Sequence, residues 1–304
     1  MTDFILHHYD TSPFSEKVRL MFGIKGLDWA SVIQPVIMPK PDLLPLTGAY
    51  RRIPVMQIGA DVYCDSQVIL AEIERRQPAP PVVRGADWAV NLWADRTWFQ
   101  ASVAVIFSVM GANVPKDFIA DREKLSGRPF DVTAMQAVAP FMIEQWRAYA
   151  AWLEAGLEAG PSGQPYLGGS TPSLSDVACW MNVWWAFGAV PSLRERLFGG
   201  FPNLSAWAER VRAIGHGVRH EMTPAEALKI AAAASPAAVA FVDDGSDFTI
   251  GDAISVQADD YGRDPIEGAL VGLSPDRITV ARDDPALGRL HVHFPRAGYV
   301  LARR

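Results

Sequence analysis

Apolar residues along the chain fall into three successive patterns. Residues 4–9 read as a strand, and after Thr11-Ser12-Pro13 the apolar positions Phe14, Val18, Met21 and Phe22 recur at helical spacing. A second strand is predicted around Ser31 to Val36 from its β-branched content. It ends in the proline-rich stretch Pro35 to Pro45, which can continue neither a helix nor a central strand and is read as a loop. Val55 to Ile58 and Val62 to Cys64 flank Gly59-Ala60-Asp61, predicting two antiparallel strands joined by a glycine-containing turn. Asp65-Ser66 then caps a helix carrying Val68, Ile69, Leu70 and Ile73. The order β-α-β followed by β-β-α calls for a crossover helix between two parallel strands and a hairpin that closes the sheet. Gln77-Pro78-Ala79-Pro80-Pro81 ends the unit as a stiff linker.

From about Asp87 to Ala213 the strong patterns are all helical, beginning with Trp88, Leu92, Trp93 and Trp98 and continuing with Met142, Trp146, Tyr149 and Trp152. Ser173-Leu174-Ser175-Asp176 places a hydroxyl at a helix start and a carboxylate three residues on, so each can satisfy main-chain donors there. Thr223-Pro224-Ala225-Glu226 repeats that logic before a short alanine-rich helix ending near Ala234. After Pro236 the pattern becomes short β-favouring runs separated by glycine, proline and aspartate: 253–256, 269–273, 277–281, 290–294 and 299–302. The expected division is 1–80, an α/β front unit; 84–222, all helical; and 236–304, a small β-rich unit curled like a barrel.

Composition narrows the function classes. Lysine plus arginine number 28 against 34 acidic residues, a formal charge of −6. With no long basic run there is no broad positive surface for a phosphate backbone, and nucleic acid is not an expected partner. Two cysteines, Cys64 and Cys179, in different elements suggest neither a disulfide framework nor a zinc site, and fit a reducing cytoplasm. Met1-Thr2-Asp3-Phe4 lacks the basic start and apolar stretch of an export signal. The most apolar stretch, 97–114, is interrupted by Gln100, Ser102, Ser108 and Asn113 and reads as a buried helix, so no membrane partner is expected.

Several short motifs carry a resemblance. Ser12-Pro13-Phe14-Ser15-Glu16-Lys17-Val18-Arg19 follows the first strand; Arg52-Ile53-Pro54-Val55 turns into the third; Asp65-Ser66 starts the next helix. Ser173 to Ala178 and Phe201-Pro202-Asn203-Leu204 with Trp207 follow in the helical half. In this order, over residues 4–214, the sequence resembles the glutathione transferase family. The resemblance implies an α+β multidomain chain with an N-terminal thioredoxin-like domain and an all-α C-terminal transferase domain, leaving the last segment outside the usual two. It also implies a cytoplasmic homodimer active in detoxification, with glutathione as co-substrate, a small apolar electrophile as acceptor, and no further cofactor or metal.

The family places an activating hydroxyl or thiol after strand one, a cis proline before strand three, and an acidic residue with serine around the γ-glutamyl end of glutathione. These expectations fall here on Ser12, with Tyr9 and Ser15 as alternatives within a turn, on Phe14 beside it, on Pro54, and on Asp65 and Ser66. Ile53 could then pair its main chain with the cysteinyl part of the ligand as an added strand would. Arg52 could pair with the glycyl carboxylate, where the family often has lysine. The chemistry is demanding, because a thiol of pKa near 8.5 is only about 3% thiolate at pH 7. A hydroxyl bond plus a helix N-terminus can favour the anion.

Each site residue also has a plainer reading: Ser12, Asp65 and Ser66 as helix caps, Pro54 as an ordinary strand start, and Arg51 and Arg52 as solvated charges. Cys64 reads best as a small buried hydrophobe. His291 and His293 share a strand face without an evident third ligand, and Trp180, Trp184 and Trp185 read chiefly as core. Two further functional readings use the same fold: a non-catalytic binding or scaffold protein, and a glutathione-dependent isomerase or dehalogenase.

Overall fold

The structure, a computed structural model, describes residues 3–158, 163–242 and 245–304. Met1 and Thr2, used above in the export argument, lie outside them. Strand β1 (Ile5–His8) leads into helix α1 (Pro13–Lys25), which Gly26 stops in the left-handed region at φ 62° by returning its N–H to the Gly23 and Phe22 carbonyls. Strand β2 (Asp28–Ile33) pairs parallel to β1 with Ile5 opposite Ala30. It lies earlier than the expected 31–36. The Gln34 N–H bonds the His8 carbonyl at 2.7 Å and closes the ladder just before Pro35, which has no N–H to add. The loop that follows ends in a one-turn helix, α2 (Leu44–Thr47), within the stretch read as loop. Pro45 sits in its first turn, where a missing donor is harmless.

Strands β3 (Val55–Ile58) and β4 (Asp61–Cys64) form the expected hairpin, β3 lies antiparallel to β1, and helix α3 (Ser66–Arg76) follows. The thioredoxin-like domain is thus present. The helical half contains α4 (Asp87–Trp93), a π-helical turn (Ala94–Trp98), α5 (Phe99–Met110), α6 (Lys116–Ser126), α7 (Val132–Glu158), α8 (Leu174–Ala189), α9 (Arg194–Phe198) and α10 (Pro202–Ile214). At the start of α8 both halves of the Ser173–Asp176 capping box form. Asp176 also accepts the Trp207 indole N–H at 2.7 Å and the Leu167 N–H at 2.8 Å, tying α8 to α10 and to the preceding loop. No helix among the described residues is long and apolar enough to cross a membrane.

Strand β5 (Val218–Glu221) was not anticipated. It pairs parallel to β2 at the sheet edge with all four residues exposed, so no burial alternation marks it. Gly217 lets the chain cross the end of α1 at φ 70°, where a Cβ would meet the Leu27 carbonyl oxygen at 2.2 Å. Helix α11 (Pro224–Ala233) begins with the Thr223–Glu226 capping box.

The last strands are β6 (Ala253–Ala258), β7 (Ile266–Leu273), β8 (Arg277–Asp284), β9 (Gly288–Pro295) and β10 (Tyr299–Arg303). They curl as expected, since β9 and β10 are joined by only residues 296–298 yet lie at opposite ends of the order β10-β6-β7-β8-β9. They do not stand apart, because β9 pairs parallel to β4 and one ten-stranded sheet runs through the molecule. Val55, Val62 and Cys64 of the front hairpin share a core with Ile254, Val256, Ile278, Val292 and Phe294. At the seam His293 Nε2 meets Asp61 Oδ1 at 2.8 Å, Nδ1 meets the Thr279 hydroxyl at 3.0 Å, and the ring stacks on Tyr63. His293 and Cys64 are therefore packing residues.

Two buried histidines in β1 link the fold to pH. His7 takes the Gln34 amide N–H at Nδ1 and His8 takes the Arg19 guanidinium there, so each ring is neutral and donates from Nε2, to Gln57 and Ser31. Burial lowers His7 to about 4, and burial with the charge of Arg19 lowers His8 to about 3. An unfolded chain protonates both near pH 6.5 and the folded one does not. Stability is therefore full above pH 6.5 and falls below it, by about 1.4 kcal/mol per pH unit for each ring. We expect the urea midpoint to drop between pH 6 and 4, and His7→Gln to remove part of that slope, since burial lowers His291 and His293 as well and gives them the same sign. An unaltered slope would take His7 out of the account.

Candidate active site

The site begins where α1 meets β1. Ser12 is its N-cap, with extended backbone, Pro13 in the first turn, and Oγ accepting the Ser15 N–H at 3.2 Å. That uses one acceptor position of a hydroxyl that also carries a donor proton. Ser12 is only 1% exposed. The Ser15 hydroxyl is buried without a partner.

Across the sheet, the Ile53–Pro54 bond is cis, as expected, and immediately precedes β3. Pro54 is buried, and Ile53 is half-buried against the C-terminal core. Asp65, the N-cap of α3, is the single non-glycine with positive φ among the described residues, at 93°. Its Oδ1 accepts the Gln67 N–H at 2.8 Å and its Oδ2 the Tyr299 hydroxyl at 3.1 Å.

Ser66 leads to a charge centre that the sequence reading missed. Its Oγ accepts from Lys17 Nζ at 3.3 Å, and the same ammonium donates to Asn91 Oδ1 at 2.7 Å and to both oxygens of Asp95 at 2.7 and 2.8 Å. Lys17 is fully buried. Burial pushes the Asp95 carboxyl up, with Lys17 opposing. Asn91 lies on α4 and Asp95 in the π-helical turn, so the centre joins the front domain to the helical one. A signal was available: Lys17 sits three residues after Phe14 and four before Met21, on the apolar face of α1.

A cavity of about 50 Å³ lies between these elements and the C-terminal strands. Phe14, Arg52 and Asp65 line it together with Asp95, Tyr261 and Tyr299. Ser12, Ile53, Pro54 and Ser66 do not. Arg52 is engaged by the protein itself: its Nη2 donates to the Asp260 carboxylate and the Tyr261 carbonyl, and its guanidinium lies 3.9 Å from the centre of the Tyr261 ring. On the other side of Phe14, Phe99 is 4.8 Å away and stacks in turn on Trp185, an aromatic wall between the domains. Trp180 is core, its indole donating to the buried Glu16 at 2.9 Å. No group of three or more histidine, cysteine, aspartate or glutamate side chains among the described residues is placed to hold a metal. Burial raises both cysteine thiols, which keeps them protonated.

Comparison with known proteins bears on the family and the fold. Residues 6–81 match the family model described as glutathione S-transferase, N-terminal domain, and residues 120–210 the model described as glutathione S-transferase, C-terminal domain. The crystal structure of a GST-like protein from Pseudomonas syringae is 32% identical and superposes with a TM-score of 0.80 over 100% of both chains. Glutathione S-transferase U4 of Arabidopsis thaliana is 22% identical over 213 residues, 67% of this chain and 81% of that protein. The tau-class glutathione S-transferase of mango, Mangifera indica, shares the fold at 16% identity and a TM-score of 0.52, over 69% of this chain and 89% of that one. The C-terminal strands thus have a counterpart in the Pseudomonas protein, whose match spans the whole chain.

Proposed function

The chain belongs to the glutathione S-transferase family, and from that premise we propose that it conjugates glutathione to a small apolar electrophile, with Ser12 stabilising the thiolate. The observation that carries this reading is the state of the Ser12 hydroxyl. Its oxygen accepts a main-chain N–H of α1, which leaves the proton to donate to a sulfur anion at the helix N-terminus. Lowering a thiol pKa by two units needs about 2.7 kcal/mol. One charge-assisted hydrogen bond of about 1.5–3 kcal/mol and a helix end of about 0.3–1 kcal/mol are enough.

The other residues take positioning roles in this reading. Ile53, beside the cis proline, offers its main chain to the cysteinyl unit, Asp65 and Ser66 take the γ-glutamyl end, and Arg52 faces the glycyl end. Phe14, Phe99 and Trp185 supply an apolar wall for the acceptor. Catalysis is then orientation plus anion stabilisation, with glutathione as co-substrate and no further cofactor.

Ser12→Ala should lower kcat/KM with a chromogenic aryl halide about 100-fold, equivalent to about 2.7 kcal/mol, while glutathione affinity changes less than about threefold. Thiolate absorbance of the complex should titrate at higher pH in the variant. Unchanged turnover would remove Ser12 from the mechanism. A second reading, a non-catalytic binding or scaffold protein, is favoured by the small cavity and the intramolecular partner of Arg52. Calorimetry separates the two, since a scaffold gives no heat at millimolar glutathione. An isomerase or dehalogenase would use the same groups and differ only in the acceptor.

A further inference from the structure

The two ends of the proposed glutathione site are treated differently by the C-terminal strands. At the γ-glutamyl end, Tyr299 donates one hydrogen bond to Asp65, which has accepted only one other, so two of the roughly four lone-pair positions of its carboxylate remain open. The cavity lies against this carboxylate, with Phe14 and Asp95 as further walls, and reaches Arg52 and Asp260 at its other end. At the glycyl end the charge is already matched. Arg52 already holds a carboxylate, that of Asp260, together with the Tyr261 carbonyl. Gly262 closes against the guanidinium so tightly that a Cβ there would come within 2.9 Å of Nε, and that N–H is buried without an acceptor.

The loop carrying Asp260, between β6 and β7, is pinned rather than loose. Arg96 holds Asp259 at 2.6 Å, the Gly262 N–H bonds the Leu125 carbonyl of α6 at 2.7 Å, and the Asp259 N–H bonds the Gly298 carbonyl at 3.0 Å. The neighbouring Arg51 is also taken up by carboxylates. Arg51 pairs with Asp121 at 3.4 Å, with Asp264 at 3.9 Å, and buried Lys40 donates to the Pro35 carbonyl.

We infer that Asp260 is a specificity-determining residue that takes the place of a peptide's terminal carboxylate on Arg52, so that the site prefers a γ-glutamyl thiol peptide whose C-terminus is neutral, an ester or amide, over glutathione itself. This rests on the glutathione reading above and refines which thiol that site takes. A free glycyl carboxylate would have to displace Asp260 from Arg52 or share the guanidinium with it against the repulsion of two like charges, whereas a capped terminus makes no such demand. The γ-glutamyl, cysteinyl and thiol contacts are the same for both ligands, and discrimination comes from one charge.

The test is calorimetric titration of the full-length protein and of its Asp260→Ala and Asp260→Asn variants with glutathione and with its glycyl monoethyl ester. The natural protein should bind the ester more tightly than glutathione. Both variants should gain at least tenfold for glutathione and less than threefold for the ester, because only the free acid gains from an arginine that no longer holds a carboxylate. An equal gain for both ligands would mean that the loop merely fills space and would overturn the assignment, as would no gain or a natural preference for glutathione. If neither thiol binds any of the three folded proteins, the glutathione reading falls and takes this inference with it.

Discussion

Lys17→Met should destabilise the protein by about 3–5 kcal/mol, among the largest effects expected of any single substitution here. The ammonium has no solvent contact and spends its three N–H groups on Ser66, Asn91 and Asp95, whose two oxygens share one of them. Methionine fills similar volume, so the loss is not a cavity but a carboxylate left in a part-buried site without its cation. Asp95 would then protonate or draw in water, and neither restores the tie between α1 and the π-helical turn. Urea denaturation of Lys17→Met, Asp95→Leu and the double variant gives the coupling directly. The double variant should recover part of the loss, because an apolar pair strands no charge. A single-variant loss under about 1 kcal/mol would show that the ion pair is peripheral. Ser66 also loses a donor, so glutathione affinity should weaken in Lys17→Met even at temperatures where the fold persists.

Ending the chain after Ala234 should leave a front domain that no longer unfolds cooperatively. Without the last segment, Leu43, Leu46, Val55, Val62 and Cys64 lose the side chains that cover them, and β4 becomes an open edge. At about 1.5–3 kcal/mol for each large apolar side chain returned to water, the loss is on the order of 5–10 kcal/mol even after partial re-covering. That is comparable to the whole stability of an average domain. The shortened chain should bind a hydrophobic dye and melt without a clear transition. A sharp melt within a few degrees of the full-length protein would show that the C-terminal strands are an appendage after all, as residue patterns alone suggest.

The contrast between that suggestion and the shared sheet shows where sequence reading works. The helix starts at Ser12, Asp65, Ser173 and Thr223 were legible because a cap is a contact between residues two or three apart, and it forms as soon as the chain turns. The β3–β4 hairpin was legible for the same reason, its turn and alternation being contiguous. Strand β5 was not, since its four residues are exposed and it owes its shape to β2 rather than to its own pattern. Of the expected site residues, Phe14, Arg52 and Asp65 meet at one cavity, but the partner of Arg52 there comes from a segment no motif connected with it.

What the sequence determined by itself was therefore the list of elements, their caps, the order of domains and the family resemblance of residues 4–214, all written in spacings of a few residues or in short motifs. Tertiary structure alone decided that Lys17 faces Asp95, 78 positions away, that Asp260 reaches back 208 positions to Arg52, and that β9 extends the front sheet beside β4. Such contacts satisfy buried charge and open strand edges after the chain has collapsed. Periodicity records only which face of an element is apolar, not which distant group will meet it there.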